Sequence, residues 1–200
     1  MSYTPPMPKI VDHDTRRAEL VEASWQVIAA EGLEGLTMRK VAEAAHCTTG
    51  RITHYFADRE ALVLAALRAV NGAAGDRTDA LLTRDLPAHD KLILCLEEGL
   101  PLDTTRQLEW KVWIAFWAAA ASNPVLAKEN DARHTGWIRA LAPLIKAVAP
   151  KADAEHEARI LMGVLDGLGL IAAINPTARN KTNAKQAVHT HVANLLKSNS

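Results

Sequence analysis

Residues 36–62 read LTMRKVAEAAHCTTGRITHYFADREAL, and three side chains divide that stretch into helices. Thr37, Thr48 and Asp58 each stand where a side-chain oxygen can accept from the free N–H groups of a helix's first turn. Thr37 opens a helix from 38 to about 46 with Met38, Val41, Ala42 and Ala45 on its buried side, and Cys47 falls in the turn. Thr48 opens a short helix ending near Phe56, and Asp58 opens a fourth that carries Leu62, Leu64, Leu67 and Val70. Upstream, Asp14 caps a helix over 14–31 that gathers Leu20, Val21, Trp25 and Ile28 on one side, and Gly32 ends it.

Downstream, Asn71-Gly72-Ala73-Ala74-Gly75 is a poor helix interior, so the fourth helix is expected to bend or stop there. Further helices are expected at 88–99, 103–122, 125–148, 153–174 and 181–196, punctuated by Pro101, Pro124, Pro150 and Pro176. No segment alternates with period two. The expected fold is all-α: a loose arm at 1–13, an N-terminal three-helix helix-turn-helix domain at 14–62, and a C-terminal helical domain at 63–200, with the helix from 58 linking them.

The composition agrees, with 48% hydrophobic residues, enough for a real core, and few β-branched runs. The first residues have no apolar stretch of signal-peptide type, and the longest uncharged run, 112–127, is broken at Asn123-Pro124. A soluble cytoplasmic protein without membrane contact is expected. Cys47 and Cys95 lack metal-motif spacing and read as small apolar fillers. No cofactor or metal is implied. Lys plus Arg and Asp plus Glu both total 23, so any nucleic-acid contact must come from local placement rather than bulk charge.

Such placement exists on the third helix. Ile52 and Phe56 share one side of the helical wheel, and Gly50, Arg51, Thr53 and His54 fall opposite, flanked by Thr49 and Tyr55. Arg51 can donate twice to guanine, Thr49 and Thr53 offer a hydroxyl or a methyl, and Gly50 permits close backbone approach. His54 and Tyr55 can donate to phosphates, the helix starts at Thr37 and Thr48 attract one, and Arg59 can add a clamp. The same residues also suit plain caps and amphipathic packing in a helical bundle.

The order Gly50-Arg51-Ile52-Thr53-His54-Tyr55-Phe56-Ala57-Asp58-Arg59-Glu60-Ala61-Leu62 resembles the DNA-binding domain of TetR-type regulators. That resemblance implies contacts to a double-stranded DNA operator by Thr49, Gly50, Arg51, Thr53, Tyr55 and Arg59. Thr53 departs from the family pattern, where an aromatic residue is frequent.

In the C-terminal part, Trp110, Trp113 and Trp117 fall within about a 60° arc, and Trp137 lies on the next helix. The stripe reads either as core or as an aromatic cage for a quaternary ammonium, with Glu109 and Asp166 as the acids that complete it. Asp166 alternatively serves a hydrogen bond between helices. Residues 108–117, 123–126 and 165–168 resemble the C-terminal domain of the choline-responsive BetI branch. The resemblance implies a repressor released from its operator by a small-molecule effector, with choline or a related cation first and an apolar metabolite or drug second. A homodimer is expected, paired through the apolar faces of 125–148 and 153–174. No i, i+4 histidine pair, phosphate loop or nucleophile elbow supports an enzyme. A helical interaction protein without DNA binding is the competing class.

Overall fold

The computed structural model describes residues 13–199. The expected arm lies outside the described residues apart from His13, which begins the first helix. Among the described residues there are nine helices and no strand: α1 (His13–Gly35), α2 (Met38–Ala44), α3 (Thr49–Tyr55), α4 (Arg59–Leu82), α5 (Ala88–Glu98), α6 (Thr104–Ala120), α7 (Pro124–Val148), α8 (Ala154–Ile174) and α9 (Ala178–Asn199).

Local chemistry starts most of them. Thr37 accepts from the Lys40 N–H at 3.3 Å and Asp58 from the Ala61 N–H at 2.8 Å. Asp103, Asn123 and Asp153 cap α6, α7 and α8 in the same way. Thr48 holds the cap position of α3 with extended backbone but makes no capping bond.

Two elements differ from expectation. The helical path of α1 is broken at Gly32 (φ 73°, ψ 180°), a left-handed conformation suited to glycine, but a further turn carries the chain to Gly35. The fourth helix does not stop at residues 71–75, and α4 runs on to Leu82. Burial on both sides outweighs the glycines: Val70 is buried before them and Thr78 after them, the latter also donating to the Ala74 carbonyl one turn back in the same helix at 2.9 Å. Arg77 is held farther out by Glu98 and Glu109.

The helices enclose two cores. One joins α1 to α4 with Val112, Trp113 and Phe116 of α6 and Leu126 of α7. The Trp25 indole fastens it by donating to the Ala66 carbonyl at 2.9 Å, α1 to α4. The other gathers Leu92, Leu96, Trp110, Leu141, Ile145, Leu161, Leu165, Val188 and Val192 from α5 to α9. In it α8 approaches α6 so closely that a Cβ on Gly169 would stand 2.2 Å from the Trp110 ring. No helix among the described residues is long and apolar enough to cross a membrane.

On its outer side α9 is tied to α5 by Glu97, which meets His189 Nε2 at 2.6 Å and Lys185 Nζ at 3.0 Å. Partial burial works against its charge, but these two partners prevail and hold the Glu97 carboxyl below the usual range. The unfolded chain therefore protonates Glu97 at a higher pH than the folded one. Its contribution is full above the ordinary carboxylate range and is lost as pH falls through it. In urea unfolding at several pH values, Glu97→Gln is expected to be less stable than the parent at neutral pH and to lose less stability between pH 6 and pH 3, roughly the interval in which carboxylates protonate.

Candidate functional site

The helix-turn-helix stands as two short helices joined at His46 and Cys47, with His46 in the left-handed region at φ 50°. Ile52 and Phe56 are buried, so α3 is fixed on its core side. Thr49, Gly50, Arg51, Thr53 and His54 are exposed on the other, with Tyr55 half-buried. Gly50 is unconstrained within the fold: an added Cβ would meet only Thr48 Oγ1, at 4.0 Å. A helical glycine that packing does not demand suits the close approach of a surface from outside. Thr53 Oγ1 donates to the Gly50 carbonyl at 3.1 Å, and the Tyr55 ring lies 4.5 Å from that of His13.

Several acids of the domain are held in ion pairs. Arg39 pairs with Glu43, Lys40 with Glu31 and Arg16 with Glu19. Arg59 has a duty that its place after the cap did not suggest. Its Nε donates to the Leu36 carbonyl at 2.8 Å and its Nη2 to that of Leu33, closing the frayed end of α1.

In the body, the sequence stripe divides. Trp110 lies in the second core and donates to the Gly99 carbonyl at 3.0 Å, whereas Trp113 lies in the first core, edge-on to Phe116. Trp117 meets Trp110 edge-on at 5.6 Å and is only partly buried, as is Trp137. The indoles are therefore both core and wall.

The acids expected to receive a cation already hold cations of the chain. Glu109 is buried and takes both ends of the Arg77 fork, at 2.9 and 2.7 Å. Arg77 also reaches Glu98 at 2.6 Å, and the Glu109 bond holds its guanidinium above the usual range. Asp166 receives Arg133 Nη2 at 3.2 and 3.3 Å and His134 Nε2 at 3.0 Å. The Arg133 guanidinium lies 4.7 Å from the Trp113 ring centre and 5.2 Å from that of Trp117. The cage exists, and Arg133 fills it.

Hydrogen bonds fix the protons of this cluster. An indole only donates, so Trp117 Nε1, 2.9 Å from Asn130 Oδ1, turns the Asn130 nitrogen toward His134 Nδ1. His134 Nδ1 accepts, and its Nε2 carries the proton given to Asp166. Arg133 is 7% exposed, and its Nε has no hydrogen-bond partner. Burial pulls its guanidinium below the usual range, against the support of Asp166. Arg133 lies on the stripe Leu126, Arg133, Trp137, Leu141 of α7, and a cation on an otherwise apolar stripe was the signal available for it.

The space around this cluster is uneven. An enclosed void of about 20 Å³, room for roughly one water, touches Trp110, Trp113, Trp117 and Arg133. On the α4 side, a cavity of about 220 Å³ is lined by Asn71, Gly75, Thr78, Asp79, Arg133, Gly136, Trp137 and Ala140. An open groove on the α8 side has Trp117, Asn130, His134, Asp166 and Gly167 in its wall.

Residues 88–197 match the family described as BetI-type transcriptional repressor, C-terminal, and residues 20–66 match bacterial regulatory proteins of the tetR family. This chain is a TetR-family transcriptional regulator of the BetI type. The regulator is 32% identical over 195 residues to the HTH-type transcriptional regulator PksA of Bacillus subtilis, covering 94% of each chain. It is 30% identical over 194 residues to BetI 2 of Chromohalobacter salexigens, covering 95% of this chain and 93% of that one. A transcriptional regulator of Rhodococcus sp. Rha1 has the same fold, with a TM-score of 0.82, 27% identity, and 91% and 96% of the two chains covered. So does a regulator of Saccharomonospora viridis solved with choline, at TM-score 0.82 and 22% identity over 90% and 97% of the chains.

Because Glu109 is enclosed, Arg77→Ala is expected to strand its carboxylate. The loss approaches about 3 kcal/mol, the lower end for a broken buried pair, since the Arg77 side chain is itself 35% exposed. Urea denaturation checks it, and Arg77→Ala with Glu109→Gln should recover part of the loss.

Proposed function

We propose that this regulator is a homodimer that reads a two-fold DNA operator with α3 and leaves it when a small molecule enters the body. The observation that carries the DNA half is the α3 face: Thr49, Gly50, Arg51, Thr53 and His54 stand exposed on a helix whose other side is locked by Ile52 and Phe56. Arg51 reads a base edge. Thr37, Thr48 and Tyr55 serve the phosphates, and Arg59 supports them by bracing α1 against α4.

The dimer reading rests on α8. Ile171 is 53% exposed and Ile174 69%, and Ile160 is also exposed. Between them Gly163 and Gly167 present open space, with nothing within 4 Å of an added Cβ. An apolar helix face with small residues at its middle admits a second helix closely. Pairing of this face and the adjoining part of α7 with a second copy gives a four-helix interface.

The effector seat is the cluster of Trp113, Trp117, Trp137, Arg133 and Asp166 with the cavities beside it. A choline-like cation has to displace Arg133 from the two indoles and take over Asp166. An apolar metabolite leaves that pair intact. Hundredfold release from DNA requires about 2.7 kcal/mol of differential binding between the two states.

Selection of bound fragments from a random DNA pool tests the reading and should return a two-fold symmetric site. Arg51→Ala should relax the preference at one base position and cost roughly 1 to 3 kcal/mol. An unchanged preference would show that Arg51 does not read a base. For the dimer, Gly167→Glu should halve the mass seen by light scattering at micromolar concentration and weaken operator binding with it. A dimeric Gly167→Glu protein sinks the α8 interface.

A further inference from the structure

Of the two charged side chains that are buried among the described residues, Glu109 is fully answered and Arg133 is not. Arg77 spends both arms of its fork on Glu109 and its Nε on Glu98. Arg106 Nη1 reaches the Glu97 carbonyl at 3.0 Å, while its Nε meets Asp103 at 2.8 Å. Arg133 meets its one carboxylate through a single nitrogen, at 3.2 and 3.3 Å, longer than the 2.7–2.9 Å usual for a charge-assisted bond. The Nη2 contact with His134 Nε2 sets two N–H groups side by side once the Trp117–Asn130–His134 chain fixes the tautomer. The buried Nε donates to nothing. A guanidinium taken out of water and left with an idle donor is costly, and in native sites such a group calls for an acceptor.

The acceptor has somewhere to stand. The cavity of about 220 Å³ between α4 and α7 has Arg133 in its wall, with Trp137 offering part of an indole and Gly75, Gly136 and Ala140 leaving room. Asp79 and Asn71, also in the lining, are exposed residues, and Thr78 is buried and donates to its own helix. The volume falls below the roughly 300 Å³ at which drug-sized sites begin, which fits a small metabolite.

We infer that the effector of this regulator carries a carboxylate, that Arg133 receives it, and that the rest of the ligand fills the α4–α7 cavity against Trp137. The inference rests on the effector-released reading above and names the ligand's chemistry. A carboxylate in the cavity competes with Asp166 for the guanidinium, and as Arg133 turns from Asp166 its Nε, closed to solvent in this conformation, gains an acceptor, an exchange that keeps the buried charge paired throughout. A neutral carbonyl lacks the charge to draw Arg133 from Asp166. A cation finds the faces of Trp113 and Trp117 and the carboxylates of Glu109 and Asp166 already engaged, which leaves it the exposed Asp79 of the cavity wall. The exchange also supplies the signal: Asp166 lies on α8 beside Gly167, so loosening its bond to α7 acts on the face proposed to hold the second copy.

The test uses the full chain with benzoate, phenylacetate and indole-3-acetate as probes, and benzamide and choline as the uncharged and cationic controls. Binding is read without DNA, by tryptophan fluorescence and by the shift in melting temperature. At least one carboxylate should bind saturably, and benzamide and choline should bind at least about tenfold more weakly, the worth of a charged hydrogen bond. Arg133→Gln should lose the carboxylate by roughly ten- to a hundredfold, with circular dichroism and operator affinity reporting that it folds. Asp166→Asn, which removes the competitor, should bind the carboxylate more tightly. The inference is overturned if no carboxylate binds, if benzamide or choline binds as well, if a folded Arg133→Gln protein binds undiminished, or if Asp166→Asn weakens carboxylate binding. Operator release is followed separately by gel shift. A carboxylate that binds through Arg133 without releasing the operator refutes the effector-released reading and leaves the ligand assignment standing.

Discussion

Helix α6 belongs to both hydrophobic cores, and the rest of the molecule is arranged around that constraint. Val112, Trp113 and Phe116 enter the core built with α1 to α4, while Trp110 enters the one built from α5 to α9. Close-packed interiors transmit displacement instead of absorbing it. A shift of α6 that suits one core must be accommodated by the other. The edge-on contact of Trp110 with Trp117, 5.6 Å between centres, ties the two faces of the helix to each other through the least compressible side chains available. The core behind the helix-turn-helix and the core of the body therefore share a wall.

Charge is placed inside that wall at two levels of completeness. The Arg77, Glu98 and Glu109 group is closed, with Glu109 answered by the Arg77 fork and Glu98 by its Nε, and it anchors α4 beyond two glycines. The Arg133, His134 and Asp166 group is open, with longer bonds and an idle donor. Closed groups hold a geometry. Open ones leave a choice, and this one lies where α7, α8 and the indoles of α6 meet.

The helix-turn-helix was legible in the sequence because its signals are local. Thr37 and Asp58 cap the helices they precede, and Ile52 and Phe56 are buried with the polar α3 side chains opposite. What could not be read was set by residues far apart in the chain. Beyond Gly72 and Gly75, α4 is held by Thr78, which is buried, and by Arg77 bonding to acids 21 and 32 positions away. The indole stripe was visible, and so were the acids, but the cation among them comes from α7, and no spacing within α6 announces it. Arg59 likewise appeared as a free cation beside a cap, while its acceptors are carbonyls 23 and 26 residues upstream.

The glycines of α8 face opposite histories of change. Gly163 and Gly167 open onto space, so nothing within this chain resists a side chain at either position. Gly169 is pinned by the Trp110 ring, where any side chain would stand inside an indole. Gly163 and Gly167 can each vary alone, but Gly169 and Trp110 can change only as a pair. A lineage that keeps both keeps the spacing of α6 and α8, and with it a scaffold on which neighbouring positions can be rewritten without loss of the fold.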